Sequence, residues 1–91
     1  MIDIRRTADD GFAVTIRDAK AETHHDVTFS RADHAKLGDE THTQEACVEA
    51  AFRFLLDREP KESILRRFDL MVIGRYFPEF ERELPRYLAD R

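Results

Sequence analysis

Residues 52–88, FRFLLDREPKESILRRFDLMVIGRYFPEFERELPRYL, decide how this chain folds. The stretch holds seven of the nine aromatic residues and all three prolines. Its apolar positions recur at the spacing of an α-helix, while Asp69 and the prolines divide it into short segments. This pattern predicts a set of short helices that form much of the core. No motif in the stretch requires its residues for catalysis.

Three short helices are predicted after Leu56. The first begins at Pro60 and runs to about Arg67, because proline is favoured at the first position of a helix. In this helix the inward-facing side chains would be Ile64, Leu65 and Phe68.

The next two helices are marked by a cap and a proline. Asp69 is placed to cap one of them, and Pro78 to begin the other. Pro85 should break or kink the last helix, because proline removes a hydrogen-bond donor and collides with the preceding turn.

Two more helices are predicted earlier in the chain. Ser30 is placed as the N-cap of a short helix over residues 31–37, which Gly38 would end. Residues 44–56 have strongly helical periodicity, and Thr43 is one of two candidate N-caps for this helix.

The first thirty residues have the alternation of β-strands. Asp10-Gly11 favours a tight hairpin turn between the first two strands. The alternation predicts an antiparallel meander of three strands with one apolar face. The positions assigned to that face are Ile2, Ile4, Phe12, Val14, Ile16, His25, Val27 and Phe29.

These elements together predict an α+β fold. Residues 1–91 would form a single domain, with the meander in 1–30 and a helical part in 31–91. The sheet would be three-stranded and antiparallel, and four to five short helices would pack on one of its faces.

The charge and the apolar content of the chain restrict its function. The net charge is −4 and the isoelectric point is near 5.5, so the chain lacks the basic footprint typical of proteins that bind nucleic acid. No apolar run approaches the ~20 residues that span a bilayer. We therefore expect a cytoplasmic protein with no membrane association and no cofactor.

The residue types that most often carry catalysis or bind metals are few. His24 and His25 would point to opposite faces of a strand, and His34 and His42 are separated by a helix end and a loop. Cys47, the single cysteine, falls on the buried face of the best predicted helix. Cys47 is a nucleophile or redox centre only in a weaker, third hypothesis. We expect no catalytic residue and no metal site.

Three arginines, Arg66, Arg67 and Arg75, are the one place where contact with nucleic acid is expected. The segment SILRRFDLMVIGRYF superficially resembles a helix-turn-helix, with Asp69 where a turn glycine often lies. However, acidic residues alternate with these arginines along the chain. A solvated helix face with mixed ion pairs is the favoured interpretation.

Four aromatic residues near the C-terminus are candidates for an interaction surface: Tyr76, Phe77, Phe80 and Tyr87. Such a set more often packs in the core of a small domain. Nine aromatic residues nevertheless exceed what one core of this size readily buries, which favours a homodimer. The dimer would form through the C-terminal helices or through the edge strand at residues 2–5.

The C-terminal part of the chain resembles a family of small uncharacterised bacterial proteins. They share an FLL-x-REP-x-x-SIL block followed by VI-x-x-YFPE. The matching residues here are Phe54–Leu56, Arg58–Pro60, Ser63–Leu65, Val72–Ile73 and Tyr76–Glu79. The resemblance implies a recurring domain, but it implies no activity, cofactor or catalytic residue.

The sequence therefore predicts a non-enzymatic protein-interaction module that binds an unidentified protein and forms a homodimer. The alternative is a nucleic-acid-associated regulator, similar to an antitoxin, that uses Arg66, Arg67 and Arg75.

Overall fold

The computed structural model describes residues 1–37 and 41–89, which form an α+β fold. Strands β1 (Ile2–Ala8), β2 (Gly11–Arg17) and β3 (Glu22–Thr28) pair as antiparallel neighbours. Val14 lies opposite Ile4 on one side and His25 on the other. The predicted meander is therefore confirmed.

The turn between β1 and β2 is one residue away from its predicted position. Asp9 and Asp10 form the turn, while Gly11 is already the first residue of β2 and pairs with Ala8. The pairing shifts between Arg6 and Ala8, and this irregularity moves the turn. Gly11 does not use a positive φ. A Cβ atom at this position would lie 3.0 Å from the hydroxyl oxygen of Thr7.

Two helices follow the meander as predicted. Helix α1 (Arg31–Lys36) begins after Ser30, whose hydroxyl accepts a hydrogen bond of 3.0 Å from the backbone N–H of Asp33. Helix α2 (Gln44–Leu56) begins after Thr43, which caps it in the same way. Gly38, the predicted end of α1, lies outside the described residues.

The predicted helix from Pro60 to Arg67 is wrong, and the sheet gains a fourth strand. Only a 3₁₀ turn forms, at Lys61–Ser63, before the chain extends into β4 (Arg67–Asp69). Strand β4 pairs with β3 in parallel, so the sheet is mixed, with the order β1-β2-β3-β4. Because adjacent side chains of an extended backbone point to opposite sides, Ile64 is buried while Leu65 is 48% exposed.

The C-terminal part is also less helical than predicted. After Asp69 come a 3₁₀ turn, Leu70–Val72, and a single helical turn, α3 (Ile73–Tyr76). Asp69 caps the 3₁₀ turn by accepting a hydrogen bond of 3.1 Å from the backbone N–H of Met71.

The last helix, α4 (Phe80–Ala89), begins two residues after Pro78 and continues through Pro85. Of the two effects predicted for Pro85, a break or a kink, the break is therefore wrong. Pro85 leaves the carbonyl of Glu81 without its helical donor, but both residues are exposed. Water can satisfy that carbonyl.

One core joins the sheet to the helices. Helix α2 lies against β1 and α4 and contributes side chains with no exposed area, among them Val48, Phe52 and Phe54. Ala50 and Ala51 let neighbouring elements approach α2 closely. The radius of gyration is 12.2 Å, the value typical of a single compact domain of this length. In residues 1–37 and 41–89 no helix has the length and apolar character to cross a membrane.

Candidate functional site

The four aromatic residues proposed as an interaction surface are not exposed together on one face. Phe80 is completely buried, and Phe77 and Tyr87 are half-buried; only Tyr76 is well exposed. Phe54 of α2 contacts three of the four edge-to-face, with ring centroids 5.8 Å away for Phe77, 5.2 Å for Phe80 and 5.8 Å for Tyr87. We call Phe54, Phe77, Phe80 and Tyr87 the Phe54 cluster. It closes the junction between α2 and α4.

Arg58 covers the Phe54 cluster on its solvent side. The guanidinium carbon of Arg58 lies 3.6 Å from the centre of the Phe54 ring, which is a close cation–π contact. Its nitrogens also donate to the Phe54 carbonyl at 3.2 Å and to Glu79 at 3.1 Å. The Tyr87 hydroxyl donates in turn to the carboxylate of Asp57. Because these polar groups all have partners, the cluster offers little to a ligand.

The three candidate arginines are exposed but do not converge. Arg66 lines a depression beside Lys61, and Arg67 lines a different one beside Asp69. Arg75 is exposed on α3 and lines neither depression. Arg67 is 86% exposed and lies 4.0 Å from the carboxylate of Asp26.

The similarity of residues 63–77 to a helix-turn-helix is wrong. A strand, a 3₁₀ turn and one helical turn replace the two helices that this motif needs. Arg66 and Arg67 therefore flank or lie on an edge strand and not on a recognition helix.

The candidate site is an apolar cleft, and Tyr76 is the one residue of its lining that the sequence analysis placed in an interaction surface. The cleft has a volume of about 180 Å³ and lies between the end of α2, the segment before β4 and α3. Leu65 and Tyr76 line it and are 48% and 67% exposed, and Met1 is the only other exposed large hydrophobic residue described. We call it the Leu65 cleft. Its full lining is Leu55, Glu59, Ser63, Ile64, Leu65, Phe68, Val72, Ile73 and Tyr76.

Glu59 gives the Leu65 cleft a charge. It is half-buried at the end of α2, where its backbone N–H donates to the Leu55 carbonyl at 2.9 Å. Among residues 1–37 and 41–89, no side chain forms an ion pair or hydrogen bond with its carboxylate. The cleft therefore combines apolar walls with one negative group that has no side-chain partner in the described part of the chain.

Lys61, Asp18 and Glu62 form a charged cluster beside the cleft. This cluster fixes the start of the segment that leads to β4. Lys61 is 8% exposed, and its Nζ donates to Asp18 at 2.6 Å and to Glu62 at 2.8 Å. The hydrogen bond that Lys61 donates to Asp18 raises the pKa of Lys61 and lowers the pKa of Asp18. A lysine with a raised pKa stays protonated, so Lys61 is unsuited to be a nucleophile.

The histidines are divided between packing and solvent. His25 is buried, with Nδ1 2.7 Å from the Leu65 carbonyl and Nε2 2.9 Å from the Thr23 hydroxyl. Because a carbonyl only accepts, Nδ1 carries the proton of neutral His25. His24 is exposed on the opposite face, as predicted. In the part of the chain that the structure describes, no three metal-ligating side chains gather.

His34 and His42, which a helix end and a loop separate along the chain, line one shallow depression together with Glu45. Glu45 is already paired there with Arg6 at 3.1 Å. Cys47 is completely buried, so the prediction that it packs in the core is confirmed.

The missed site depends on one change of secondary structure. Ile64, Leu65 and Phe68 have a spacing that suits a helix as well as an extended segment. Only the pairing of β4 with β3, which are distant in sequence, turns Leu65 outward. No local signal in the sequence shows this.

Comparison with known proteins yields no match to a family model, to a curated protein or to a solved structure.

Proposed function

We propose that this protein is a non-enzymatic interaction module whose Leu65 cleft binds a segment of another protein. The segment presents one large apolar side chain next to an arginine or lysine. The observation that carries this proposal is that Leu65 and Tyr76, two large apolar side chains left in solvent, line the same cleft. Exposed apolar side chains gathered in one groove are typical of a site that binds a partner.

The size and walls of the cleft support the apolar part of the ligand. A volume of about 180 Å³ accommodates one large aliphatic or aromatic side chain. Buried Ile64 and Ile73 form a fixed floor, so the site needs little rearrangement to accept a ligand.

The charge of Glu59 supports the proposal that the bound segment carries an arginine or lysine. Glu59 is half-buried, and its carboxylate has no side-chain partner within the described ranges, so a cation that a ligand brings to the cleft would face an unpaired opposite charge. An arginine would also offer two parallel hydrogen bonds to the carboxylate.

The state of the reactive side chains supports the proposal that the module is non-enzymatic. Cys47 is completely buried, and both ring nitrogens of His25 are within hydrogen-bonding distance of neighbouring groups. Lys61 is held protonated between two carboxylates. None of these groups is directed into the Leu65 cleft in the manner of a catalytic residue.

Subtractive selection from a phage-displayed peptide library tests the proposal. We expect the wild-type protein to enrich peptides with a large apolar residue beside a basic one. The enriched peptides should bind the double variant Leu65→Ser/Tyr76→Ser at least tenfold more weakly. No enrichment over the bare support, or equal binding to the double variant, would refute the assignment of the cleft.

A second pair of variants tests whether the charge of Glu59 contributes to peptide binding. Glu59→Gln should weaken the basic peptides several-fold and leave an apolar peptide without a cation unchanged. The matched control is Glu81→Gln, which removes an exposed carboxylate of α4 that does not line the cleft.

The alternative proposal is a nucleic-acid-associated regulator. It is favoured by the exposure of Arg66, Arg67 and Arg75. In addition, no ion pair of Arg66 or Arg75 is seen within the described ranges. Because the three lie apart, the nucleic acid would have to contact several faces at once.

Fluorescence anisotropy with a short DNA duplex and the matching RNA tests this alternative. It requires binding that weakens steeply with salt and disappears when all three arginines are replaced by alanine at an unchanged melting temperature. Binding that survives the triple substitution would exclude these arginines as the contacts.

A further inference from the structure

We propose that β1 pairs with β1 of a second copy of this chain, antiparallel and centred on Ile4, to join two sheets into one. This surface is separate from the Leu65 cleft, and the proposal does not depend on the peptide that the cleft binds. Four features of β1 support it: its free edge, the direction of its backbone groups, its charges and its apolar residues.

The two edges of the sheet differ in length. Strand β4 forms one edge with three residues, Arg67–Asp69, and so short an edge offers little to another strand. Strand β1 forms the other edge with seven residues, Ile2–Ala8, and pairs with β2 on one side only. In residues 1–37 and 41–89, no other strand lies against its outer side.

The free backbone groups of β1 can be assigned from its first pair. The N-terminal nitrogen of Met1 donates to the carbonyl of Arg17 at 2.8 Å, and the N–H of Arg17 donates back to the carbonyl of Met1 at 2.9 Å. Hydrogen-bonded and non-hydrogen-bonded pairs alternate along an antiparallel ladder. Asp3 and Arg5 therefore direct their backbone groups to β2, while Ile2, Ile4 and Arg6 direct theirs outward.

A twofold axis at Ile4 uses all of these outward groups. Ile4 of each copy exchanges both backbone hydrogen bonds with Ile4 of the other. Ile2 does the same with Arg6 of the second copy, because both residues are the same distance from the axis. Every pairing in this register therefore joins donors to acceptors.

The charges of β1 select this register. With the axis at Ile4, Asp3 lies opposite Arg5 of the second copy, and Arg5 lies opposite Asp3. The side chains of Asp3 and Arg5 are already exposed on the face of the sheet away from the helices, so neither has to leave the core to meet its partner. Opposite charges directly across a pair of strands are stabilising.

The two nearest alternative registers lack this complementarity. An axis at Asp3 places the carboxylates of the two copies opposite each other, and an axis at Arg5 does the same with the guanidinium groups. Like charges directly opposite destabilise a strand pair. The charges of Asp3 and Arg5 therefore discourage pairing of β1 with an unrelated strand and favour one arrangement of a second copy of this chain.

Apolar residues on the other face of β1 add to the contact. Ile2 and Ile4 are only half-buried against the core, because the sheet ends beside them. With the axis at Ile4, the two Ile4 side chains meet and continue the apolar face from one sheet to the next. A contact of one strand is small, so we expect a weak dimer that forms only at high protein concentration.

Light scattering and sedimentation equilibrium over a wide range of protein concentration test the proposal. The wild-type protein should change from monomer to dimer as the concentration rises. Asp3→Arg and Arg5→Asp should each weaken the dimer at least tenfold, because each places like charges opposite each other twice. The double variant Asp3→Arg/Arg5→Asp should restore the dimer to within about threefold of wild type, since it exchanges the two charges.

Two controls keep the test specific. Asp3 also pairs with Arg17 of its own chain at 3.3 Å, so Arg17→Gln, which removes that pair without touching β1, should leave the dimer unchanged. The Leu65→Ser/Tyr76→Ser variant should dimerise as wild type does. Circular dichroism melts would show that each variant is folded.

Three results would overturn the proposal. One is a wild-type protein that stays monomeric at every concentration reached. Another is a dimer that both single variants leave intact, which would place the interface elsewhere. The third is a double variant that fails to recover the dimer while both single variants are folded, which would show that the register centred on Ile4 is wrong.

Discussion

The Phe54 cluster and the Leu65 cleft are built from the same stretch, residues 52–88, but the cluster is largely shielded from solvent and the cleft is exposed to it. In the cluster, rings pack edge-to-face and Arg58, Asp57 and Glu79 satisfy the polar groups around them. In the cleft, apolar side chains face solvent and the carboxylate of Glu59 has no partner among the residues described. The contrast separates a region that stabilises the fold from one suited to bind something else.

The largest effect on stability should come from the centre of the cluster. Phe54→Ala removes a fully buried ring that contacts three others, and we expect the free energy of unfolding to fall by about 3–5 kcal/mol. Urea or thermal unfolding followed by circular dichroism measures it. A loss below ~1 kcal/mol would show that the cluster is not the stabilising region.

The next effect should come from the cation above the cluster. Arg58→Met keeps much of the aliphatic stem but removes the cation–π contact and the hydrogen bonds to the Phe54 carbonyl and Glu79. We expect a loss of about 1–2 kcal/mol, measured by urea unfolding. The matched control is Arg86→Met, an exposed arginine of α4, which should change stability by less than ~0.5 kcal/mol. Equal effects would mean that Arg58 does not act through the cluster.

A pH-dependent effect should come from the cluster of Asp18 and Lys61, which lies beside the cleft segment. Asp18→Asn removes the charge that faces Lys61 while Oδ1 can still accept from the backbone N–H groups of Lys20 and Ala21. Because the folded protein lowers the pKa of Asp18, its contribution is present above the unfolded pKa, near 3.8, and is lost as the pH falls through the folded value.

Melting temperatures of wild type and Asp18→Asn across the acidic range test this. Wild type should be the more stable at pH 7, and the difference should shrink as the pH falls below about 4. A difference that stays constant with pH would show that the carboxylate charge contributes nothing to the fold.

The smallest effect on stability should come from the cleft. Leu65→Ser and Tyr76→Ser each change an exposed side chain, so we expect the free energy of unfolding to change by less than ~0.5 kcal/mol. Both variants should still lose binding of the peptides selected on wild type. A large loss of stability would place these side chains in the core and remove the contrast with the Phe54 cluster.

The sequence predicted the elements whose signals are local. The meander, both N-caps and α2 follow from alternation, from Ser30 and Thr43 and from helical periodicity, and the structure has them all. Of the four C-terminal aromatic residues, Phe77, Phe80 and Tyr87 pack in or against the core, which is the favoured interpretation of their pattern. Phe80 shows this most clearly.

The segment after Leu56 could not be predicted from local signals. Its apolar spacing suits a helix, but pairing with β3 through Val27 and Phe68 makes it extended. This pairing joins residues far apart in the sequence. The Leu65 cleft exists only because of it, so the candidate site was beyond the reach of periodicity.

A titration followed by amide chemical shifts tests the central contrast most directly. The probe is the acetylated dipeptide amide Leu-Arg, with Leu-Glu as its matched control. We predict that Leu-Arg shifts the amides around Leu65 and Tyr76, leaves those around Phe80 and Tyr87 unchanged, and binds more tightly than Leu-Glu because of Glu59. Shifts centred on α4, or equal responses to the two dipeptides, would contradict the assignment of binding to the Leu65 cleft.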